Sequence, residues 1–87
     1  MYYVYMIRSQ TFPEQSYIGF TTSIKNRLQE HNLGKSPHTS KYKPWDLHAY
    51  FAFHDKGLAI NFEKYLKSNS GRAFARKRLW YRDTIKL

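Results

Sequence analysis

Tyr17-Ile18-Gly19-Phe20-Thr21-Thr22-Ser23-Ile24-Lys25-Asn26-Arg27-Leu28-Gln29-Glu30-His31 reads as a short strand that gives way to a helix. Residues 16–20 are aromatic and β-branched around a glycine, a composition that suits a pleated, half-buried surface. Thr21, Thr22 and Ser23 then offer hydroxyls able to accept from the first N–H groups of a helix. Ile24, Leu28 and Leu33 follow as an apolar stripe, and Gly34 is placed to stop the element in the left-handed conformation. The spacing predicts a helix over about 23–33. It puts Arg27 and His31 at i and i+4, stacked on one face beside the Ile24/Leu28 stripe and not within it.

Working outward, residues 2–8 alternate Tyr3, Tyr5 and Ile7 against Tyr2, Val4 and Met6. Both sides are apolar or aromatic, which predicts a central strand covered on two faces. The Pro13-containing loop 9–15 is short enough for this strand to pair antiparallel with 16–20. Beyond the helix, 34–46 is a loop rich in Gly, Ser, Pro, Thr and Lys. Residues 47–54 alternate again, with Leu47, Ala49, Phe51 and Phe53 on one side. Asp55 can cap a helix whose buried face is Leu58, Phe62, Tyr65 and Leu66, running to Lys67 or Ser68. Ser68-Asn69-Ser70-Gly71 reads as a break, and a basic helix over 71–81 follows, anchored by Phe74, Leu79 and Trp80. The order β-β-α-β-α-α implies a small sheet with helices packed on it, an α/β or α+β sandwich.

Composition narrows the function. The chain of 87 residues is one domain by size. Fifteen Lys and Arg against six Asp and Glu give a formal charge of +9, which points to a polyanionic partner. There is no cysteine, so neither a disulfide nor a thiolate zinc site stabilises the fold. His31, His38, His48 and His54 have no close metal-ligand spacing. No apolar run approaches the length of about 18 residues that a membrane helix needs, and Met1-Tyr2-Tyr3-Val4-Tyr5 has no basic lead into an apolar stretch. These features predict a cytoplasmic protein without membrane contact.

The candidate chemistry lies in five residues. A tyrosine on a strand usually contributes ring burial and one hydrogen bond. Tyr5 and Tyr17 on neighbouring strands can bring two hydroxyls to one point of the sheet, and Gly19 leaves room for another backbone or a substrate. A free phenol has a pKa of about 10, so a tyrosine base needs nearby positive charge, or must pass its own proton on as it takes one. Arg27 suits phosphate oxygens and the charge that grows in a phosphoryl transition state. His31 can contact a phosphate, or orient or deprotonate a tyrosine or water. Glu63 is one of only six acids. A single carboxylate with several waters is a usual way of holding Mg²⁺ against substrate phosphates; the plain alternative is a helix-surface pair with Lys67 at i+4. Lys35, Lys41 and Lys43 sit in the loop with His38, Tyr42 and Trp45; Arg72, Arg76, Lys77, Arg78 and Arg82 sit on or after the last helix. Basic side chains interleaved with aromatics suit a nucleic-acid backbone and exposed bases, although Trp45 beside Pro44 reads better as a core plug.

Taken together, these residues resemble the GIY-YIG nuclease superfamily, in particular its short stand-alone bacterial members and the N-terminal nuclease domain of the excision-repair incision subunit. Tyr3-Val4-Tyr5 stands where the family has Gly-Ile-Tyr, and Tyr17-Ile18-Gly19 matches the second string. Arg27 matches the family arginine of the first helix, His31 the His or Tyr one turn later, and Glu63 the metal-binding glutamate. The resemblance covers residues 2 to about 80 and implies a three-stranded antiparallel sheet flanked by helices. It also implies hydrolysis of DNA phosphodiesters with one divalent cation, Mg²⁺ or Mn²⁺, at Glu63. Nucleic acid, with DNA foremost, is then the partner, and association with a repair complex is a further expectation. In two places the chain departs from the pattern. Phe20 and Thr21 follow Gly19 where many members have Lys, and Ala75-Arg76-Lys77-Arg78 stands where many carry Asn. Two other readings share the same charge: a catalytically weak or inactive nucleic-acid-binding module of this fold, and an adaptor whose charge serves assembly.

Overall fold

The computed structural model describes residues 1–80. Strands β1 (Tyr2–Ser9), β2 (Ser16–Thr21) and β3 (Trp45–Phe53) form one sheet in the order β2-β1-β3. Both pairings are antiparallel. Helix α1 (Ile24–Asn32) follows β2, and α2 (Lys56–Lys67) and α3 (Asn69–Arg78) follow β3. This is an α+β fold in the expected order.

As the central strand, β1 is buried on both faces, and its period of two sorts the core into two layers. Val4 and Met6 pack with Ala59 and Leu66 of α2 and Ala75 of α3. Tyr5 and Ile7 pack on the other face with Trp45, joined by Tyr17, Ile24 and Leu28. The sheet therefore separates α1 from the α2–α3 pair.

The boundaries of β3 and α3 differ from the sequence reading. β3 begins at Trp45, not at residue 47. Met6 pairs with Ala49 but Ile7 pairs with Leu47, so His48 is an extra residue at a bulge. The bulge breaks the predicted alternation. Ala49, Phe51 and Phe53 face α2, while Trp45 joins the Tyr5 layer, where it is nearly fully buried. Trp45 is thus the core plug that its neighbour Pro44 suggested.

The expected break at Ser68–Gly71 is a corner of a single residue. Ser68 is both the end of α2 and the N-cap of α3, its hydroxyl accepting from Gly71 N at 3.2 Å. Gly71 lies inside α3. A Cβ there would collide with the Tyr65 carbonyl oxygen and stand 2.8 Å from Leu66 Cα. The glycine serves close helix–helix approach, not helix breaking. α3 ends at Arg78, with Leu79 as its C-cap, short of the expected residue 81; Arg82 lies outside the described residues.

The other caps follow the sequence. Ser23 accepts from Asn26 N, and Asp55 accepts from Leu58 N at 2.8 Å. Gly34 takes φ +79° just past α1, a conformation that costs glycine little. The loop 34–46 is anchored by a two-way bond between the Asn32 amide and the Trp45 backbone, with Trp45 N donating to Asn32 Oδ1 at 2.6 Å and Asn32 Nδ2 donating to Trp45 O at 3.2 Å. The Trp45 indole donates to Thr39 O at 3.0 Å. These bonds hold Thr39 beneath α1.

Candidate active site

Tyr5 and Tyr17 share a face because Tyr17 pairs across from Ile7, two residues along from Tyr5. Their ring centres are 6.3 Å apart. The residue opposite Tyr5 is Gly19. A Cβ on Gly19 would collide with the Tyr5 Oη and meet Cζ at 2.5 Å. The room that Gly19 leaves is therefore taken by the Tyr5 ring itself, and not by substrate or another backbone. The ring lies across β2 and carries its hydroxyl toward that edge of the sheet.

Here α1 delivers its two polar residues. Arg27 Nε donates to the Tyr5 hydroxyl at 3.3 Å, and His31 Nε2 lies 2.8 Å from the same oxygen. His31 Nδ1 is 2.7 Å from Thr39 Oγ1. His31 is 0% exposed, Thr39 1% and Tyr5 2%. This corrects the expectation that His31 sits beside the apolar stripe: it is the buried residue of α1, packed against the rings of Tyr5, Tyr17 and Trp45.

One proton arrangement satisfies all of these bonds. In it the Tyr5 oxygen accepts from Arg27 and its own proton points to His31 Nε2. Neutral His31 then carries its proton on Nδ1 and donates to Thr39, whose hydroxyl reaches Ser36 O at 3.5 Å. Electrostatics agree. Burial, and secondly the charge of Arg27, lowers the His31 pKa below its ordinary 6.5, which keeps the ring neutral. Burial pushes Tyr5 up to about 12 against the opposing pull of Arg27, with Tyr17 and Glu63 adding to the rise. Arg27 is held above its usual range, first by its bond to Glu30 and then by Tyr5. Its Nη1 donates to Glu30 Oε1 at 2.7 Å.

Glu63 comes from α2, across the sheet, yet it reaches the same edge. Lys67 Nζ is 2.9 Å from Glu63 Oε2 and 5.6 Å from the centre of the Tyr17 ring. The Glu63 charge is also felt at Tyr5. The i+4 pair with Lys67 that the sequence allowed is formed, and the same ammonium lies over the Tyr17 ring, so Glu63 and Tyr17 share it as a neighbour. Among the described residues, no three His, Cys, Asp or Glu side chains gather in a metal-binding group. The donors at this edge are one partly exposed carboxylate, already neutralised by a cation, and two phenols. That set fits a hydrated hard cation held by one carboxylate and by substrate oxygens, not a metal caged by protein.

The predicted basic residues divide. Arg72 and Arg76 line a cleft of about 570 Å³ together with Arg8, Tyr17, Lys67 and Trp80. Lys35, Lys41 and Lys43 are exposed on the 34–46 segment, and Lys77 is exposed on α3. Sequence reasoning missed three residues. Thr39 lay in a loop read only for its charge. Glu30, at i+3 from Arg27, was legible as a helix-face pair. Lys67 was considered only as a competitor for Glu63.

The chain matches the family model for the GIY-YIG catalytic domain over residues 1–78. It is similar to UPF0213 proteins of Streptococcus pyogenes serotypes M3 and M1, each 33% identical over 70 residues, a stretch that covers 79% of this chain and 76% of the relative. It also resembles the solution NMR structure of a UPF0213 protein from Bacillus halodurans, with a TM-score of 0.52 and 28% identity over 88% of this chain and 84% of that one. No helix among the described residues is long and apolar enough to cross a membrane.

Proposed function

Since the chain belongs to the GIY-YIG family, a family of nucleases, we propose that it is a metal-dependent endonuclease that hydrolyses DNA phosphodiester bonds with little sequence preference. The observation that carries this reading is the Tyr5 hydroxyl, held between Arg27 Nε and His31 Nε2 at the edge where Glu63 also arrives.

With its pKa near 12, Tyr5 is a phenol at neutral pH and cannot wait as phenolate. It acts as a relay. As the Tyr5 oxygen takes a proton from the attacking water, its own proton passes to His31 Nε2, and the imidazolium that forms is stabilised through Nδ1–H by Thr39. The hydroxide oxygen bonds to phosphorus, the bond from phosphorus to the leaving ester oxygen breaks, and that oxygen is protonated by solvent. Arg27, oriented by Glu30, lies beside the phenol where its guanidinium can offset charge on the phosphoryl oxygens. Tyr17 walls the site on the cleft side. Glu63 would hold Mg²⁺ or Mn²⁺, which when bound supplies Lewis-acid polarisation of the scissile phosphate. The basic residues of α3 and of the 34–46 segment hold the backbone without reading bases.

Nicking of supercoiled plasmid and of branched DNA with Mg²⁺ tests the reading. Wild type nicks, while Glu63→Ala and Arg27→Ala lose at least about a hundredfold, the scale of one lost transition-state contact. Equal nicking by wild type and both variants assigns the activity to a contaminant. Salt-dependent DNA binding without cleavage by wild type across several metals identifies a binding module instead.

A further inference from the structure

Lys67 belongs to two surroundings at once. Its ammonium lies 2.9 Å from Glu63 Oε2 and 5.6 Å above the Tyr17 ring. It also lines the cleft with Arg8, Arg72 and Arg76, where Glu14 is the one acidic side chain in the wall. The cleft and the catalytic edge therefore meet at this residue.

The pair is built to exchange. The Lys67 side chain is 45% exposed and that of Glu63 20%, and an ion pair this open to water holds its partners only weakly. Lysine carries a compact charge on a flexible four-carbon stem, so the ammonium can swing without disturbing the helix. A divalent cation arriving at Glu63 alone meets an ammonium already on its only carboxylate. A phosphodiester entering the cleft offers that ammonium a second anion, beside Arg72 and Arg76. Each exchange is unfavourable alone, since one sets two cations on a single carboxylate and the other strips Glu63 of its counter-charge. Together they balance.

Resting on the reading of Glu63 as the metal-holding residue, we infer that the cleft lined by Lys67, Arg72 and Arg76 is a second phosphate site of the nucleic acid, and that Lys67 exchanges between Glu63 and this phosphate, so that divalent cation and nucleic acid bind cooperatively. The coupling is reciprocal: each ligand tightens the other by the same factor.

The test is a Mn²⁺ titration of the full chain, with free Mn²⁺ read by electron paramagnetic resonance. It is run with and without a short phosphorothioate oligonucleotide that resists cleavage. Lys67→Met keeps the stem and removes the charge, and Lys67→Gln repeats the test with a polar end. Both bind Mn²⁺ more tightly than wild type when no oligonucleotide is present, by about fivefold, the low end of ordinary coupling. In both, the oligonucleotide improves Mn²⁺ affinity by a smaller factor than in wild type. Arg72→Gln likewise reduces the improvement that the oligonucleotide brings. Wild-type Mn²⁺ affinity and undiminished coupling in both Lys67 variants overturn the inference while leaving the nuclease reading intact. Unchanged Mn²⁺ binding by Glu63→Gln overturns the metal site itself, and with it this inference.

Discussion

The Tyr5 hydroxyl and the His31 ring, 26 residues apart in the chain, share a hydrogen bond of 2.8 Å in the interior. Neither partner is charged. A buried neutral pair of this kind needs every remaining donor and acceptor satisfied. Arg27 and Thr39 do that from opposite ends, at 3.3 Å and 2.7 Å. The site is a line of four side chains from three separate segments, and one order of protons along it, from Tyr5 to His31 to Thr39, satisfies every bond.

Stability should fall on both sides of neutral pH, for two different residues. The folded pKa of His31 lies below 6.5. Between that folded value and 6.5 the unfolded chain binds more protons, so stability is complete above 6.5 and is lost as pH falls toward the folded value. Tyr5 is raised from 10.0 to about 12. Between these values the folded chain holds the extra proton, so stability is complete below pH 10 and is lost as pH rises to about 12, by up to roughly 2–3 kcal/mol. Urea unfolding across pH measures both. His31→Gln flattens the acid limb and leaves the alkaline one, and Tyr5→Phe does the reverse. A Tyr5→Phe protein with an unchanged alkaline limb contradicts the assignment.

Thr39→Val removes the acceptor of the His31 Nδ1–H while keeping side-chain volume. A buried donor left unpaired costs about 1–3 kcal/mol, so the urea midpoint drops. The more specific outcome concerns the ring. Without Thr39 nothing favours the proton on Nδ1, and the ¹⁵N shifts of His31 move away from that tautomer. Nicking falls by about tenfold to a hundredfold, part of the 10²–10⁴ that a positioned proton acceptor supplies. Thr39→Ser restores tautomer and rate. An unchanged His31 tautomer in Thr39→Val shows that Thr39 does not set it.

Much of this was legible because β1 and α1 obey simple periods. Alternation from Tyr2 to Ile7 announces a doubly covered strand, and Ser23 and Gly34 bracket the helix that carries Arg27 and His31. Glu63 stood out as a candidate from the scarcity of acids and its place on an amphipathic helix. What escaped involved residues whose role depends on distant partners. His31 looks like a surface residue on a helical wheel, since nothing local says that Thr39 and Trp45 close over it. The bulge at His48 cannot be seen in a strand that alternates evenly. Gly71 reads as a helix breaker because its use, passage of the α3 backbone against Tyr65 and Leu66, exists only in the tertiary structure.

Gly71→Ala gives that last point a sign. In an exposed helix interior, Gly to Ala is worth up to about 1 kcal/mol in favour of alanine. Here the new Cβ meets the backbone of Tyr65 and Leu66, which cannot rotate away. The expected result is a net loss near the upper end of overpacking costs, about 3 kcal/mol. Ala73→Gly, on the exposed face of the same helix, provides the contrast with the ordinary loss of about 1 kcal/mol. Denaturant curves for the two variants decide it. A Gly71→Ala protein as stable as wild type would mean that α2 and α3 do not approach so closely.

Gly19→Ala tests the seat of the Tyr5 ring. In most extended positions this exchange stabilises a protein slightly, by about 0.4–1 kcal/mol, through the unfolded chain. At Gly19 the added methyl collides with Tyr5 Oη and Cζ. The ring is buried and bonded to both Arg27 and His31, so it can make way only by breaking those bonds. Stability falls by about 1–3 kcal/mol, and nicking falls as far as it does in Tyr5→Phe. The double variant separates the two effects. The clash with Cζ persists in Tyr5→Phe, so the stability cost of Gly19→Ala remains. The activity losses do not add, because both remove the same hydroxyl from His31. Additive losses of activity would show that Gly19 serves the reaction by some route other than the Tyr5 phenol.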